Sequence, residues 1–210
     1  MPPEDLTDED LQKTAMYAQE RQRKSQQADL EADGASVEDY LQSLNMKMRV
    51  SMDDAQVVAR LSQLTQKTNQ FNLTTPRYSE ADIEQKISDD KTSVFHFTLA
   101  DNFGDSGIVG LAIVERQSED RAHLDTFLMS CRVIGRRAEE AFLRTIIQTL
   151  RTQNVKELTA EYIPTRKNML VETFLPDNAF TEAGEGFYLT NLKDAAHAPG
   201  GDLPIEIEGP

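Results

Sequence analysis

The sequence is poor in the residues that support disulfide, metal and membrane chemistry. Its single cysteine, Cys131, excludes an intrachain disulfide. Its three histidines, His96, His123 and His197, are scattered and form no metal-binding motif. No apolar run is long enough for a secretory signal or a membrane span. We therefore expect a soluble cytoplasmic protein with no membrane partner and no metal site.

Acidic residues outnumber basic ones, and the excess is concentrated at the two ends of the chain. The net charge is −14. Residues 1–40 hold eleven Asp or Glu against four Lys or Arg, and residues 191–210 hold four against one. The central part is nearly balanced and lacks the basic stripe that nucleic-acid binding requires. The composition therefore argues against a nucleic-acid-binding protein.

Three regions follow from composition and apolar periodicity. Residues 1–50 predict a helical extension whose apolar side chains are few and small, so that it needs another surface to pack on. Residues 51–190 predict a folded domain, in which Thr165 is expected to cap a helix that continues to Phe174. The acidic tail 191–210, with its glycines and prolines, predicts disorder.

The order of the predicted elements defines a fold class. Two helices are followed by three antiparallel strands, a helix, a strand, a helix and a final hairpin. This order predicts an α+β fold with a mixed central sheet flanked by helices and one parallel crossover at its centre.

The crossover begins with a strand and a turn that lead into a helix. Leu124 to Met129 suits a strand buried on both faces, and apolar residues recur every three or four positions from Ala138 to Leu150. The turn between them consists of Arg132, Val133, Ile134, Gly135, Arg136 and Arg137. Its backbone N–H groups lie at the positive end of a helix dipole, which favours a phosphate or pyrophosphate. An ordinary strand–helix connection fits the same residues equally well.

A loop rich in amides and hydroxyls runs from residue 64 to residue 78. Its length and its lack of glycine favour packing against a ligand over a solvated connector. The residues expected to bind a substrate there are Gln70, Asn72, Thr74 and Arg77.

Several segments resemble known families. The element order, with a phosphate-holding turn in the crossover, resembles the GNAT acyl-CoA N-acyltransferase fold. The segments Arg60–Thr75, Asp125–Arg136 and Tyr162–Asn168 further resemble the C-terminal half of FkbH-like proteins. Members of that family begin with a haloacid-dehalogenase-like phosphatase domain and place a glyceryl unit on an acyl carrier protein in polyketide-type pathways.

The resemblance implies that the phosphatase half is supplied elsewhere. No Asp-x-Asp-x-Thr motif follows an apolar strand within the 210 residues. Residues 1–50 are therefore expected to be the remnant of the segment that joins the two halves. The implied partners are an acyl carrier protein and a separate phosphatase-like subunit.

The GNAT resemblance places the cofactor on the crossover turn. GNAT enzymes hold the coenzyme A pyrophosphate on Gln/Arg-x-x-Gly-x-Gly/Ala, and this chain has Arg132-x-x-Gly135-x-Arg137. An arginine in the third position either crowds the phosphate path or points outward and adds positive charge. The resemblance implies coenzyme A or a carrier protein's phosphopantetheine as cofactor, held by residues 132–137 and Asn168.

A second GNAT motif departs at the acid position. The pattern Asn-x-x-Ala-x-x-Phe/Leu-Tyr becomes Asn168-x-x-Val171-x-x-Phe174-Leu175. The tyrosine that commonly protonates the departing thiolate is thus replaced by Leu175, which has no proton to give. Tyr162, on the neighbouring strand, is a candidate replacement acid or an ordinary strand-end residue.

Two further residues are candidates for catalysis. Asp125 lies on the central strand, where the GNAT fold can place a general base, although a satisfied structural carboxylate is the alternative. Cys131 is expected on the same strand face. Its thiol would be nucleophilic if Arg132 and Arg136 lowered its pKa, whereas most lone cysteines in apolar strands only pack.

Two functions from different classes remain open. In the first, the chain is an acyltransferase domain that binds a pantetheine thioester, with Asp125 as base and residues 132–137 as phosphate cradle. In the second, it is a non-catalytic GNAT-like module that docks an acyl carrier protein or a phosphatase subunit. Arg137 and Leu175 favour the second, while Asp125, Gly135 and Asn168 favour the first.

Overall fold

The computed structural model describes residues 8–193 and 203–210, with side chains from residue 14 onwards. The helices are α1 (Asp8–Ala32), α2 (Val37–Ser43), α3 (Val58–Lys67), α4 (Glu80–Ser88), α5 (Ala138–Thr152) and α6 (Phe174–Asp177). The strands are β1 (Met46–Met52), β2 (Phe71–Asn72), β3 (Thr92–Asp101), β4 (Gly104–Arg116), β5 (Arg121–Met129), β6 (Glu157–Glu161), β7 (Thr181–Gly184), β8 (Phe187–Asn191) and β9 (Ile205–Glu208). Residues 194–202 of the predicted disordered tail lie outside the described residues.

One mixed sheet organises the chain. Its strand order is β7-β8-β6-β5-β4-β3-β1-β9, and β2 pairs with β5 beside this path. β3, β4 and β5 are antiparallel neighbours, whereas β5 and β6 are parallel and are joined by α5. The predicted α+β class and the central parallel crossover are therefore confirmed.

Helices cover both faces of the sheet, and α3 and α5 each present one apolar stripe to it. Phe142, Ile146 and Leu150 of α5 are buried in the larger core cluster, which also contains Phe97 and Phe127 of the sheet. A second cluster, on α3, α4 and the strands they cover, contains Leu61, Leu64, Ile83, Val94 and Ile113. The sheet is thus a rigid frame on which the loops at its edges are fixed.

Two strands extend beyond the predicted domain limits of residues 51 and 190. β1 begins at Met46, and its Met48 and Val50 are buried because alternate residues of a strand face the core. β9 pairs in parallel with β1 and buries Ile205, inside the tail predicted to be disordered. Residues 46–50 and 205–208 therefore belong to the sheet.

The predicted helix from Thr165 to Phe174 does not form. The side chain of Asn168 accepts hydrogen bonds from the Thr165 N–H at 2.6 Å and from its hydroxyl at 2.9 Å. This local bonding competes with a helix and folds the segment into a turn. A 3₁₀ turn at Met169–Val171 and the short α6 follow it.

The N-terminal helix packs on the domain through a buried ion cluster. Arg23 donates to both carboxylate oxygens of Asp101 at 2.7 and 2.9 Å, and Arg136 donates to the same carboxylate at 3.1 Å. Burial alone would raise the pKa of Asp101, but hydrogen bonds from Arg23 and from the Phe103 N–H hold it below its usual value. The surface that α1 requires is therefore the β3–β4 hairpin and the crossover turn.

Candidate functional site

β5 carries a β-bulge at Asp125. The register of the β4–β5 ladder shifts between Ile113 and Val114, which leaves Asp125 without a residue opposite it. A bulge redirects the side chain of its extra residue. The half-buried Asp125 carboxylate accepts hydrogen bonds from the Tyr78 hydroxyl at 2.7 Å and from the Thr126 hydroxyl at 2.8 Å. The structure thus presents an oriented carboxylate at the predicted general-base position.

Tyr78 is a functional candidate that the sequence analysis missed. Burial raises the pKa of its hydroxyl, and the hydrogen bond to Asp125 and the charge of that carboxylate raise it further. Its hydroxyl therefore keeps its proton at neutral pH. Lys86 lies 4.9 Å from the centre of the Tyr78 ring and pairs with Glu115 at 2.8 Å. The contact between Tyr78 and Asp125 spans 47 positions, so no local pattern announces it.

The loop expected to bind a substrate is held together by its own polar side chains. Fully buried Asn72 donates to the Thr68 carbonyl at 3.2 Å, and Thr74 donates to the Asp125 carbonyl at 2.7 Å. The exposed Arg77 donates to the same Thr68 carbonyl at 3.2 Å. Asn72, Thr74 and Arg77 therefore shape the loop and fix it on β5. Gln70 is exposed and lines a cavity.

The β2 segment fills the gap in which β5 and β6 diverge. The two strands pair only as far as Leu124 and Ala160. Beyond that point the Leu73 N–H donates to the Phe127 carbonyl at 3.1 Å, and the Leu73 carbonyl accepts from the Ile163 N–H at 2.9 Å. The Phe127 carbonyl and the Ile163 N–H are therefore already hydrogen-bonded within the chain. An extended amide ligand between these strands would need the same two groups.

Asn168 closes this gap and is hydrogen-bonded within the protein. It is fully buried, and its amide nitrogen donates to the Asn72 carbonyl at 2.9 Å and to the Ile163 carbonyl at 3.0 Å. Its oxygen accepts from Thr165. All polar atoms of its side chain are therefore hydrogen-bonded within the protein, which accounts for a buried asparagine at this position.

Two backbone N–H groups of the crossover turn are already used in hydrogen bonds to nearby carbonyls. The Val133 N–H donates to the Ser130 carbonyl at 3.2 Å, and the Ile134 N–H donates to the Cys131 carbonyl at 3.4 Å. Val133 is also buried in the core. The part of the turn left for an anion therefore centres on Gly135, which is exposed, has φ +82° and has open space where a Cβ would lie.

Arg137 replaces the third glycine or alanine of the GNAT pattern. It precedes α5 with φ 58°, a left-handed conformation that glycine adopts at little cost and arginine does not. Its guanidinium pairs with Glu140 at 2.8 Å. This pairing largely neutralises the positive charge that the substitution could have offered to a phosphate.

The N-terminal helix covers the open side of the turn. A cavity of about 660 Å³ separates α1 from Arg132, Ile134, Gly135 and Arg136. The Arg132 guanidinium donates to the Met16 sulfur, and buried Arg136 donates to Glu20 at 3.5 Å. An anion that enters from this side meets the Glu20 carboxylate and two arginines that are already bonded to α1.

Cys131 does not lie on the strand face, because β5 ends at Met129. The residue is exposed at the start of the turn. It lines the cavity under α1 and also a second cavity of about 530 Å³, together with Gln70, Arg166 and Lys167. The strand-packing expectation for Cys131 is therefore wrong, and its thiol is accessible from two sides.

Tyr162 belongs to the larger core cluster. Burial raises the pKa of its hydroxyl, and the nearby Glu172 and Tyr188 raise it further. Its N–H donates to the Gly186 carbonyl at 2.8 Å. The hydroxyl that reaches Asp125 belongs to Tyr78, which makes Tyr78 the better candidate acid.

Leu175 is fully buried in the core, so a tyrosine at this position would strain the packing. We expect Leu175→Tyr to reduce the free energy of unfolding by about 1–3 kcal/mol through overpacking and not to raise turnover. Urea denaturation measures this change, with the volume-conserving Leu175→Met as control at under about 1.5 kcal/mol. A tyrosine variant as stable as the wild type and faster with a thioester would contradict this placement.

The chain has the fold of the GNAT acetyltransferases. An acetyltransferase of the GNAT family from Staphylococcus aureus is 15% identical, with a TM-score of 0.54 over 69% of this chain and 99% of its own. The ribosomal-protein-S18-alanine N-acetyltransferase from Escherichia coli is 16% identical, with a TM-score of 0.53 over 69% of this chain and 94% of its own. No protein-family model matches the chain, and no curated protein matches it in sequence. The likeness therefore defines the fold and leaves the activity to be argued from the site.

The described part of the chain contains neither a membrane-spanning helix nor a cluster of metal-binding side chains. None of the described helices combines the length and apolar character needed to cross a membrane. Among the described side chains, no group of three or more His, Cys, Asp or Glu residues is placed to share a metal ion.

Proposed function

We propose that the chain is an acyltransferase domain that accepts an acyl group from a pantetheine thioester, carried by coenzyme A or by an acyl carrier protein. The observation that carries this proposal is the Asp125 carboxylate, half-buried on the β5 bulge and oriented by two hydroxyl donors. A carboxylate fixed in this way on a GNAT fold suits a general base.

The proposed reaction assigns each proton a place. The acceptor's nucleophile attacks the thioester carbonyl and gives its proton to Asp125, while the carbon–sulfur bond breaks. The thiolate that leaves takes up one proton, so the reaction consumes none overall. Tyr78, which is hydrogen-bonded to Asp125, is the proposed donor in place of the tyrosine absent at Leu175. Its hydroxyl proton goes to the thiolate and is replaced by the proton that Asp125 received from the acceptor.

The resemblance of Arg60–Thr75 to FkbH-like proteins supports a narrower assignment. In it, the acyl group is a glyceryl or related unit of a polyketide-type pathway, and a separate phosphatase-like subunit prepares the donor. The Gln70–Arg77 loop would then form the acceptor side, because Thr74 of this loop contacts β5 at Asp125.

A second candidate is a non-catalytic module that docks a carrier protein or a phosphatase subunit. Three observations favour it: α1 covers the crossover turn, Arg137 pairs with Glu140, and Leu73 occupies the gap between β5 and β6. The helix and Leu73 reduce the room for a coenzyme A molecule in this conformation, and the ion pair reduces the positive charge available to its phosphates.

Thioester consumption separates the two candidates. The full chain is incubated with acetyl-coenzyme A and with acetyl- and glyceryl-loaded carrier protein, with and without a phosphatase partner, and released thiol is followed. Release above the enzyme-free rate supports acyl transfer. Absence of release with every donor would leave docking as the better account.

Tyr78→Phe tests the assignment of the acid. The ring stays in place, and Asp125 loses one charge-assisted hydrogen bond, of the kind worth about 1.5–3 kcal/mol. We expect kcat/KM to fall by roughly one to two orders of magnitude, measured by thiol release. Tyr162→Phe is the comparison: a large loss in Tyr162→Phe and none in Tyr78→Phe would transfer the acid role to Tyr162.

A further inference from the structure

We infer that residues 163–170, called the 163–170 loop below, are the docking surface for an acidic carrier protein. The phosphopantetheine arm of this protein enters the cavity beside Arg166 and Lys167. This inference rests on the proposed function, because it describes how the donor thioester is delivered.

The 163–170 loop exposes apolar side chains beside two cations. Ile163 is 42% exposed, Met169 is 68% exposed and Leu170 is 57% exposed. The exposed Arg166 and Lys167 lie between them in the sequence. Large apolar side chains grouped in one short segment and joined by charged residues are typical of a protein-binding surface.

Buried residues of the chain hold the 163–170 loop in one conformation. Asn168 is fully buried and bonds to Thr165, to the Ile163 carbonyl and to β2, while Val171 is buried in the core. The apolar and cationic side chains are therefore displayed on a fixed backbone. Binding of a partner to these side chains therefore requires little ordering of the loop and loses little conformational entropy.

A cavity of about 530 Å³ lies against the 163–170 loop. It is lined by Thr68, Asn69, Gln70, Cys131, Arg166 and Lys167. Two cations suit the phosphodiester of the arm, and the side-chain amides suit its two amide groups. Arg77 adds a third cation, since it donates to the Thr68 carbonyl and to the Asn69 side chain.

The crossover turn and the gap between β5 and β6 are less open to the arm. Over the crossover turn, α1 brings Glu20 beside Arg136, and a carboxylate repels a phosphate there. Between β5 and β6, the backbone of Leu73 already hydrogen-bonds to Phe127 and to Ile163. The cavity at the 163–170 loop avoids both obstacles.

Charge determines the kind of partner. The chain carries a net charge of −14, most of it in residues 1–40 and 191–210, and these two ends repel an acidic protein. Attraction is confined to cationic positions, and Arg166, Lys167 and Arg77 provide such a group around the cavity. An acidic partner is therefore steered to this place, with apolar contacts made by Met169 and Leu170.

The test compares donors with and without a carrier protein. For the full-chain double variant Arg166→Glu/Lys167→Glu, we expect KM for acetyl-loaded acyl carrier protein to rise by roughly 10- to 100-fold with kcat retained. Acetyl-pantetheine, which lacks both protein and phosphate, should be used within about threefold of the wild-type rate. Met169→Ser/Leu170→Ser should weaken the carrier donor in the same selective way.

A matched control makes the same charge change at the other end of the sheet. Lys91 precedes β3, and Lys193 follows β8, whose last residue pairs with the first residue of β6. The 163–170 loop follows the last residue of β6. Lys91→Glu/Lys193→Glu should therefore leave KM for the carrier donor within about threefold of the wild type, because remote surface charges are screened by salt.

Calorimetry of carrier-protein binding separates failure of the inference from failure of the proposed function. Equal affinity of wild type and Arg166→Glu/Lys167→Glu, equal losses in the two charge variants, or no binding by the wild type would overturn the inference. Binding that is lost only in Arg166→Glu/Lys167→Glu, without turnover of any donor, would keep the docking surface and overturn acyl transfer alone.

Discussion

Asp125→Asn is expected to lower thioester turnover by roughly two to four orders of magnitude, the usual range for a positioned acid–base group. The substitution keeps the shape of the side chain and an oxygen to which the Tyr78 and Thr126 hydroxyls can donate. It removes only the capacity to accept the acceptor's proton. The loss should therefore appear in kcat, measured by thiol release from a saturating donor.

The control for this prediction is Asp120→Asn, the same chemical change just before β5. Asp120 is an exposed carboxylate that pairs with Lys156 at 3.2 Å. Its substitution should leave turnover within about twofold of the wild type, since exposed ion pairs contribute at most about 1 kcal/mol to stability. Turnover unaffected by Asp125→Asn would eliminate the proposed base even if the protein is active.

Asp101→Ala is expected to reduce the free energy of unfolding by about 3–5 kcal/mol. The Asp101 side chain is 1% exposed, and its removal leaves the buried Arg23 and Arg136 with only the more exposed Glu20 as a shared counter-charge. The variant should also loosen α1 from the crossover turn. Urea denaturation measures the stability, and limited proteolysis in the 14–32 region reports release of the helix.

Asp105→Ala is the comparison for this change, because it removes an exposed carboxylate from the same β3–β4 hairpin. Asp105 accepts a hydrogen bond from the Gly107 N–H at 2.7 Å, so its loss should cost about 1 kcal/mol. A cost for Asp101→Ala as small as that for Asp105→Ala would show that the buried ion cluster does not hold α1.

The same cluster predicts how stability depends on pH. The pKa of Asp101 is lower in the folded chain than in the unfolded one, so its carboxylate stabilises the fold above the unfolded pKa. This contribution is lost as the pH falls through the folded pKa. The difference in stability between wild type and Asp101→Ala should therefore shrink in acid.

Local patterns were sufficient to predict the frame of the molecule. The apolar spacing of α5 and the doubly buried β5 predict the parallel crossover. A helix buried on one face has apolar residues every three or four positions, and a strand buried on both faces is a nearly continuous apolar run. Ser79 and Asp82 form the capping box that begins α4. Such features depend on residues within a few positions of each other.

The contacts of the candidate site could not be predicted in this way. Tyr78 reaches Asp125 from another element, and Asn168 reaches Asn72 across 96 positions. β9 was missed because flanking glycine and proline mask a short alternating segment that is stabilised by pairing with β1. These features arise from tertiary pairing, and tertiary pairing leaves no period in the sequence.

The most direct test of the proposed acyl transfer is the intact mass of an acyl-loaded carrier protein after incubation with an acceptor and either wild type or Asp125→Asn. We expect the wild type to remove the acyl mass from the carrier and add it to the acceptor, while Asp125→Asn leaves the carrier loaded over the same time. A carrier that stays loaded with both proteins, or loses its acyl group equally fast with both, would contradict the proposal.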